Sequence, residues 1–434
     1  MNEHMTAERE REQRQEQPVP LRRNLRFQAL WIGQASGTLG MMVGETAFPL
    51  LVLALTDSPS AAGAFGAVQM TVALLLGVHG GVIADRRDRR TVLIVTDAAR
   101  LTALASVPVA VWLDRLTLVH LLLVAAAVGA TVAYGGPIRL LALRSVVPPE
   151  QMRQALAQDE ARMSGAALAG PPLAGFLFGL GHAVPFLGAA LTTGLSLTSA
   201  VVVRFPSPPA QEAKGGDGAL AGFRVIAASP LLRAALGVLF LINLCGVALL
   251  LPVIVMLREQ GTGSAGIGLT LAGEAVGALA GTTLVARLHR AAGPGVLLTV
   301  VAWVSALASL APLLPGGAFT VFAALFVVGA ATPALRVMLD LLVFRQVPDE
   351  LRGRVIAATV ALLTAGMPAG SFVSGLLLDR FSPAATLVAV TALFAVALLP
   401  ATFSRTLRRA TWPAADPAAD SATDPATDSA STEH

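Results

Sequence analysis

The sequence predicts an all-α membrane protein, with twelve transmembrane helices in two pseudo-symmetric six-helix bundles. Composition is the first observation behind this. Of 434 residues, 55% are hydrophobic and 13% charged, with a mean hydropathy of +0.70. Soluble domains average about 25% charged residues, so this chain lacks the polar groups to cover a water-facing surface. Next, its apolar residues come in twelve long runs, and a spanning helix needs about 20 such residues. Finally, threading the chain from a cytoplasmic N-terminus leaves 28 of the 31 basic residues on the cytoplasmic side. Only Arg115, Arg258 and Arg380 fall outside. That asymmetry follows the positive-inside rule and puts both termini in the cytoplasm.

The runs fall at 29–55, 61–84, 91–113, 117–144, 162–181 and 184–203, then 231–257, 265–288, 295–314, 319–344, 354–378 and 384–404. Their glycines and prolines are compatible with membrane helices. Residues 1–26 are polar, without the apolar core of a cleaved signal peptide, and read as a cytoplasmic tail. The first bundle is 27–203 and the second 231–404. Residues 204–230 between them are rich in Pro, Gly and polar groups, as a linker should be. Residues 405–434 read as a disordered tail of Pro, Ala, Asp and Thr. The halves also repeat at an offset of 200. Gly77, Gly81, Arg87 and Arg90 match Gly277, Gly281, Arg287 and Arg290, and Val147, Pro148 and Glu150 match Val347, Pro348 and Glu350. Two parallel halves suit alternating access to a midplane site.

Between the second and third runs stand six consecutive charges, Asp85, Arg86, Arg87, Asp88, Arg89 and Arg90. Each would cost about 2.5–3.5 kcal/mol at the bilayer centre, so they form a short hairpin at the inner surface. With Gly81 they resemble the loop between helices 2 and 3 of the major facilitator superfamily. There the pattern is Gly, three residues, Asp-Arg, one residue, Gly, then two basic residues. Asp88 replaces the second glycine. The likeness is to the drug-exporting branch that includes macrolide-efflux and enterobactin-export proteins, and it covers roughly residues 22–405. It implies a latch in which Gly81, Asp85, Arg86, Arg89 and Arg90 engage the start of the eleventh helix and acidic groups such as Asp159, Glu160 or Glu350. A solvated, orientation-setting turn is the plainer alternative. Asp tolerates left-handed backbone, which would keep the turn tight.

The stretch SGAALAGPPLAGF, 164–176, resembles the antiporter signature of drug exporters through Gly165, Gly170, Pro171, Ala174 and Gly175. Its prolines should bend the fifth helix, and its glycines should admit a close neighbour. Gly273, Gly277 and Gly281, spaced by four on the eighth helix, offer a matching small-residue ridge. Ordinary packing is the alternative.

An ionisable residue in mid-membrane points to function. Glu45 and Glu274 each sit some ten residues from the outer end of their helices and are candidates for binding a proton or a cationic substrate. Glu45 has no basic residue within two turns on its own helix, and Arg100 and Arg139 are expected to lie too deep to pair with it. Arg336 and Asp340, four apart, are inner-gate candidates or a local pair. Asp97 with Arg100 reads as a local pair too. Asn243 and Gln69 can hydrogen-bond in a cavity. Arg139 and Arg144 fall toward the cytoplasmic end, away from the central arginine common in the fourth helix of drug exporters.

No Walker-type phosphate loop, catalytic triad or metal-ligand spacing appears. The lone Cys245 allows no intrachain disulfide. The sequence therefore predicts no enzyme, no cofactor, no metal and no nucleic-acid partner. It predicts a monomeric exporter in the inner, cytoplasmic membrane, exchanging amphipathic small molecules of antibiotic, drug or siderophore type for protons. An importer on the same fold, or a membrane scaffold or sensor, is the alternative.

Overall fold

The computed structural model describes residues 20–203, 218–410 and 412. The rest of the N-terminal tail, the first part of the linker and residues 413–434 lie outside the described residues. Twelve helices are long and apolar enough to span a membrane. The first bundle holds α1 (Leu25–Thr56), α2 (Pro59–Arg86), α3 (Arg89–Trp112), α4 (Leu118–Val146), α5 (Met152–Leu180) and α6 (Val184–Val202). The second holds α7 (Pro230–Glu259), α8 (Ser264–Gly281), α9 (Pro294–Ala308), α10 (Ala318–Gln346), α11 in two pieces (Asp349–Ala365 and Met367–Leu378) and α12 (Pro383–Phe403).

Several starts follow one local rule. Ser58, Ser229 and Ser382 each cap a helix by accepting a hydrogen bond from a backbone N–H three residues on, and each is followed by proline. Serine supplies the missing acceptor, and proline at the first helical position loses no hydrogen bond. Asn24 and Thr117 cap α1 and α4 in the same way.

Four features depart from the predicted elements. α5 begins ten residues before its apolar run, because a helix can extend past the hydrocarbon on polar residues such as Arg153 and Asp159. α8 stops at Gly281, and a turn leads into a short helix, Val285–Ala291. α11 is interrupted at Gly366, where Pro368 has no N–H to bridge the pieces. The linker is not wholly irregular: Gly218–Ala228 is a helix whose Gly222 lies against Arg354 and Ala358 of α11. The packed chain also continues past 405. Arg405–Arg408 is a helical turn, and the Trp412 indole N–H donates to the Ala292 carbonyl at 2.9 Å while its ring packs on His289.

Twelve spans put Pro20 and Arg408 on one face, which also carries most of the arginines. The two halves meet mainly at the other, opposite face. There Gly175 of α5 lies against the backbone of Ser264 and Ala265 of α8, and Gly268 against Pro171. The offset of 200 carries Gly175 to Gly375 and Pro171 to Ser371, and these make the second seam. Gly375 lies against the backbone of Pro59 and Ser60 of α2, and Ser371 donates to the Gly63 carbonyl at 3.0 Å. The Ser60 N–H donates to the Asp379 carboxylate at 3.2 Å, so a residue of the second half caps a helix of the first. α5 and α8 thus face each other as predicted, but by a different ridge. Gly273, Gly277 and Gly281 lie against the carbonyls of Phe322, Phe326 and Ala330 of α10, inside the second half.

Buried apolar clusters repeat this division. One cluster joins both halves, including Phe48, Phe65, Phe186, Ile254, Ile267 and Leu378, all toward the opposite face. Nearer the arginine-rich face the clusters are confined to single halves, around Leu30 and Leu93 in the first and Leu232 and Met338 in the second.

Cys245 is the only cysteine and is buried, so an introduced pair would be read without interference. Ser60→Cys with Asp379→Cys is expected to form a disulfide under mild oxidation without substrate. Loss of maleimide-reactive thiols checks it. A pair that stays reduced contradicts the closed seam.

Candidate functional site

The first half encloses a polar interior built by five helices. Asp97 on α3, 1% exposed, pairs with Arg139 on α4 at 2.5 Å and accepts from the Ser196 hydroxyl on α6 at 2.7 Å. The Gln34 side chain on α1 donates to the Arg139 carbonyl at 3.2 Å. Arg100 Nε donates to Thr131 at 2.9 Å. Arg162 on α5 pairs with Asp159 and donates to Thr38 at 2.9 Å. Asp97 therefore does not pair with Arg100, its neighbour one turn on. Thr131 and Ser196 are polar partners that the sequence did not single out.

Glu45 has an exposed side chain on α1. Arg100 is within electrostatic reach of it. This corrects the expectation that Arg100 lies too deep. Counting from the opposite face, Glu45 is 11 positions from Thr56 and Arg100 is 12 from Trp112, so the two share a level.

The second half contains a cavity of about 800 Å³. Its wall includes Asn243 of α7, Glu274 of α8, Ser309 beyond α9, Thr359 of α11, and Arg336 and Asp340 of α10. Gln69 is not part of the wall. Arg336 and Asp340 do not pair with each other. Arg336 reaches across the halves to Glu160 of α5 at 3.6 Å, both side chains exposed.

At the arginine-rich face α2 runs to Arg86. Asp88 has φ −57° and is not left-handed. It caps α3, accepting from the Thr91 N–H at 2.8 Å and the Thr91 hydroxyl at 2.6 Å. An aspartate at the usual glycine position thus starts the next helix. Arg90 donates to the Ala200 and Val201 carbonyls at the end of α6. The side chains of Asp85, Arg86 and Glu350 lie outside the described ones. Gly81 and Gly165 have open space where a side chain would project, while Gly170 lies against Met42 of α1. α5 remains one continuous helix through Pro171 and Pro172.

Twelve spans, two repeated halves and a closed seam at one face describe a transport fold, and comparison with known proteins decides the family. The model of the transmembrane secretion effector family matches residues 17–426. The chain belongs to that family, within the major facilitator superfamily. It is a transporter, not an enzyme, and a multi-pass membrane protein. Among curated proteins it is similar to the multidrug efflux pump Tap of Mycobacterium tuberculosis. The two are 25% identical over 368 residues, covering 80% of this chain and 86% of Tap. Among solved structures it shares its fold with a bacterial homologue of the human lysosomal transporter Spinster, in an inward-facing and occupied conformation (TM-score 0.72, 14% identity, 92% and 100% of the two chains). It does so too with a bacterial homologue of the iron transporter ferroportin in an inward-facing state (TM-score 0.64, 17% identity, 89% and 100%).

Removing one partner of a buried ion pair leaves the other charge uncompensated, at a cost of about 3–5 kcal/mol. Asp97→Ala is expected to lower the thermal unfolding temperature in detergent markedly. Adding Arg139→Met should recover much of the loss. Equal melting of wild type and Asp97→Ala contradicts a structural role for the pair.

Proposed function

We propose that this transporter is a secondary exporter of amphipathic small molecules, driven by proton antiport and working by alternating access. The observation that carries the reading is the seam. The halves are joined at the opposite face, while the polar interior and its carboxylates lie between that seam and the arginine-rich face. The positive-inside rule supports a cytoplasmic position for that face and both termini. The conformation then corresponds to the inward-open stage of the cycle, in the cell membrane. The similarity to a multidrug efflux pump supports export.

In this reading the bundles 27–203 and 231–404 rock as units about the linker, in a single copy of the chain. Glu45 carries the proton. A carboxylate at this depth is tolerated when protonated, hydrated or paired, and Glu45 has Arg100 within electrostatic reach. Facing the cytoplasm it releases its proton and the substrate enters. Facing outward it is protonated again as the substrate leaves. Arg336 and Glu160, already in contact, are the pair about which the inner side closes. Gly81, Asp85, Arg86, Arg89 and Arg90 are assigned to the latch that holds it closed against α11. Gly170, Pro171 and Gly175 keep the α5 seam close enough to stop proton leak.

Glu45→Gln keeps volume and hydrogen bonding but removes titration. In proteoliposomes with an imposed proton gradient it is expected to abolish uphill export while sparing downhill exchange. Uphill export by Glu45→Gln would move the proton site elsewhere, with Glu274 the next carboxylate to test. Asp85→Asn is expected to reduce flux per folded molecule severalfold without loss of membrane insertion. Undiminished flux would reduce the loop to an orientation signal.

A further inference from the structure

The two interior carboxylates stand in different surroundings. In the first half each cation has an acidic neighbour: Arg139 has Asp97, Arg162 has Asp159, and Arg100 has Glu45 in electrostatic reach. Glu274 has no such company. It lines the second-half cavity without an ion pair or a side-chain hydrogen bond among the described residues. Arg336, the cavity's basic residue, is engaged by Glu160 of the other half. Asp340, nearer the arginine-rich face, adds a second acid. The wall is otherwise mostly apolar, with residues such as Leu250, Leu271 and Val328.

A second observation concerns Thr359. The hydroxyls of Thr270, Thr332 and Thr364 donate to carbonyls of their own helices. That of Thr359, in the cavity wall and 5% exposed, has no partner. A buried polar group without a partner costs about 1–3 kcal/mol, a cost that a bound hydrogen-bonding group would remove. Small-molecule sites have this make-up: apolar walls, a volume of roughly 300–1,000 Å³ and a few placed polar groups.

We infer that the second-half cavity is the substrate subsite, and that it takes a molecule with an apolar body and a single positive charge. Glu274 is the counter-ion, and Thr359 is the hydrogen-bond partner for a polar substituent. Proton and substrate then occupy different halves: Glu45 titrates beside Arg100, and Glu274 meets the cargo. This rests on the transport reading above and adds the chemical class of the cargo.

The test is equilibrium binding to purified protein in nanodiscs, with no proton gradient. The probes are tetraphenylphosphonium and the equally shaped anion tetraphenylborate. Wild type should bind the cation at least tenfold more tightly than the anion. Glu274→Gln should lose tenfold or more for the cation, Glu274→Asp should retain most of the affinity, and Glu259→Gln, at the exposed end of α7, should stay within about threefold of wild type. Val328→Trp, which fills the cavity without touching charge, should also lose binding. Thermal melting confirms that each variant is folded. A cation affinity unchanged in Glu274→Gln, equal binding of the two ions, or an equal loss of binding in Glu259→Gln overturns the assignment. Binding that follows Glu274 while Glu45→Gln still exports uphill sinks the proton reading and leaves the subsite standing. The reverse pattern sinks only the subsite.

Discussion

Hydrocarbon offers no hydrogen bonds and does not solvate charge. Every polar group carried into the membrane must find its partner in the protein or in enclosed water, and the rest of the architecture depends on this. It is met by the backbone in helices and by side chains in the interior. Asp97, Arg100, Arg139 and Arg162 sit on three helices, α3, α4 and α5, held by residues from α1, α3, α4, α5 and α6. A polar interior of this kind fixes the order of helices in the first bundle, because a rotated helix would present a charge to lipid. The second bundle meets the same constraint with an open cavity beside Glu274 instead of a pair.

Association of the halves has to come from another source. Lipid is as apolar as leucine, so helices join in the membrane through close packing and hydrogen bonds rather than hydrophobic burial. Both seams obey this. Gly175 and Gly375 let one backbone touch another, and Ser371 and Asp379 add hydrogen bonds to the backbone of α2. The two-fold relation between the seams follows from the repeat. Their chemistry differs, since Pro171 and Gly179 of the first half correspond to Ser371 and Asp379 of the second.

Most of the fold was legible in the sequence, because the lipid sets one length and one composition for every span. The Ser-Pro pairs at 58, 229 and 382 even mark helix starts to the residue. Where the apolar criterion stops, legibility stops with it, and the polar first ten residues of α5 were missed. Pairing of helices was half legible. α8 does meet α5, but at about 100° per residue Gly268 and Gly273 lie roughly 140° apart. The helix therefore has more than one face of small residues, and spacing alone does not say which neighbour each face meets. The site followed the same pattern. Glu45 and Glu274 stand out as lone carboxylates in apolar runs. Arg139 as the partner of Asp97 does not, because the local rule offers Arg100 one turn away and the true partner comes from the next helix. The shared level of Glu45 and Arg100 could have been counted from the opposite ends of α1 and α3.

The two faces of the molecule differ in what holds them together, and this gives them different responses to the medium. The opposite-face seam is mainly backbone against backbone, with apolar side chains around it, and its outer edge adds an exposed ion pair between Arg258 and Asp57 at 3.5 Å. The backbone contacts are indifferent to ionic strength. Across the arginine-rich side, the described ion pair between the halves is Arg336 with Glu160, both exposed, and dissolved salt screens an exposed pair over about 8–10 Å. Raising salt therefore weakens an ion pair at each face, but the far seam keeps its backbone contacts, so the balance between the two closures is itself a function of the electrolyte.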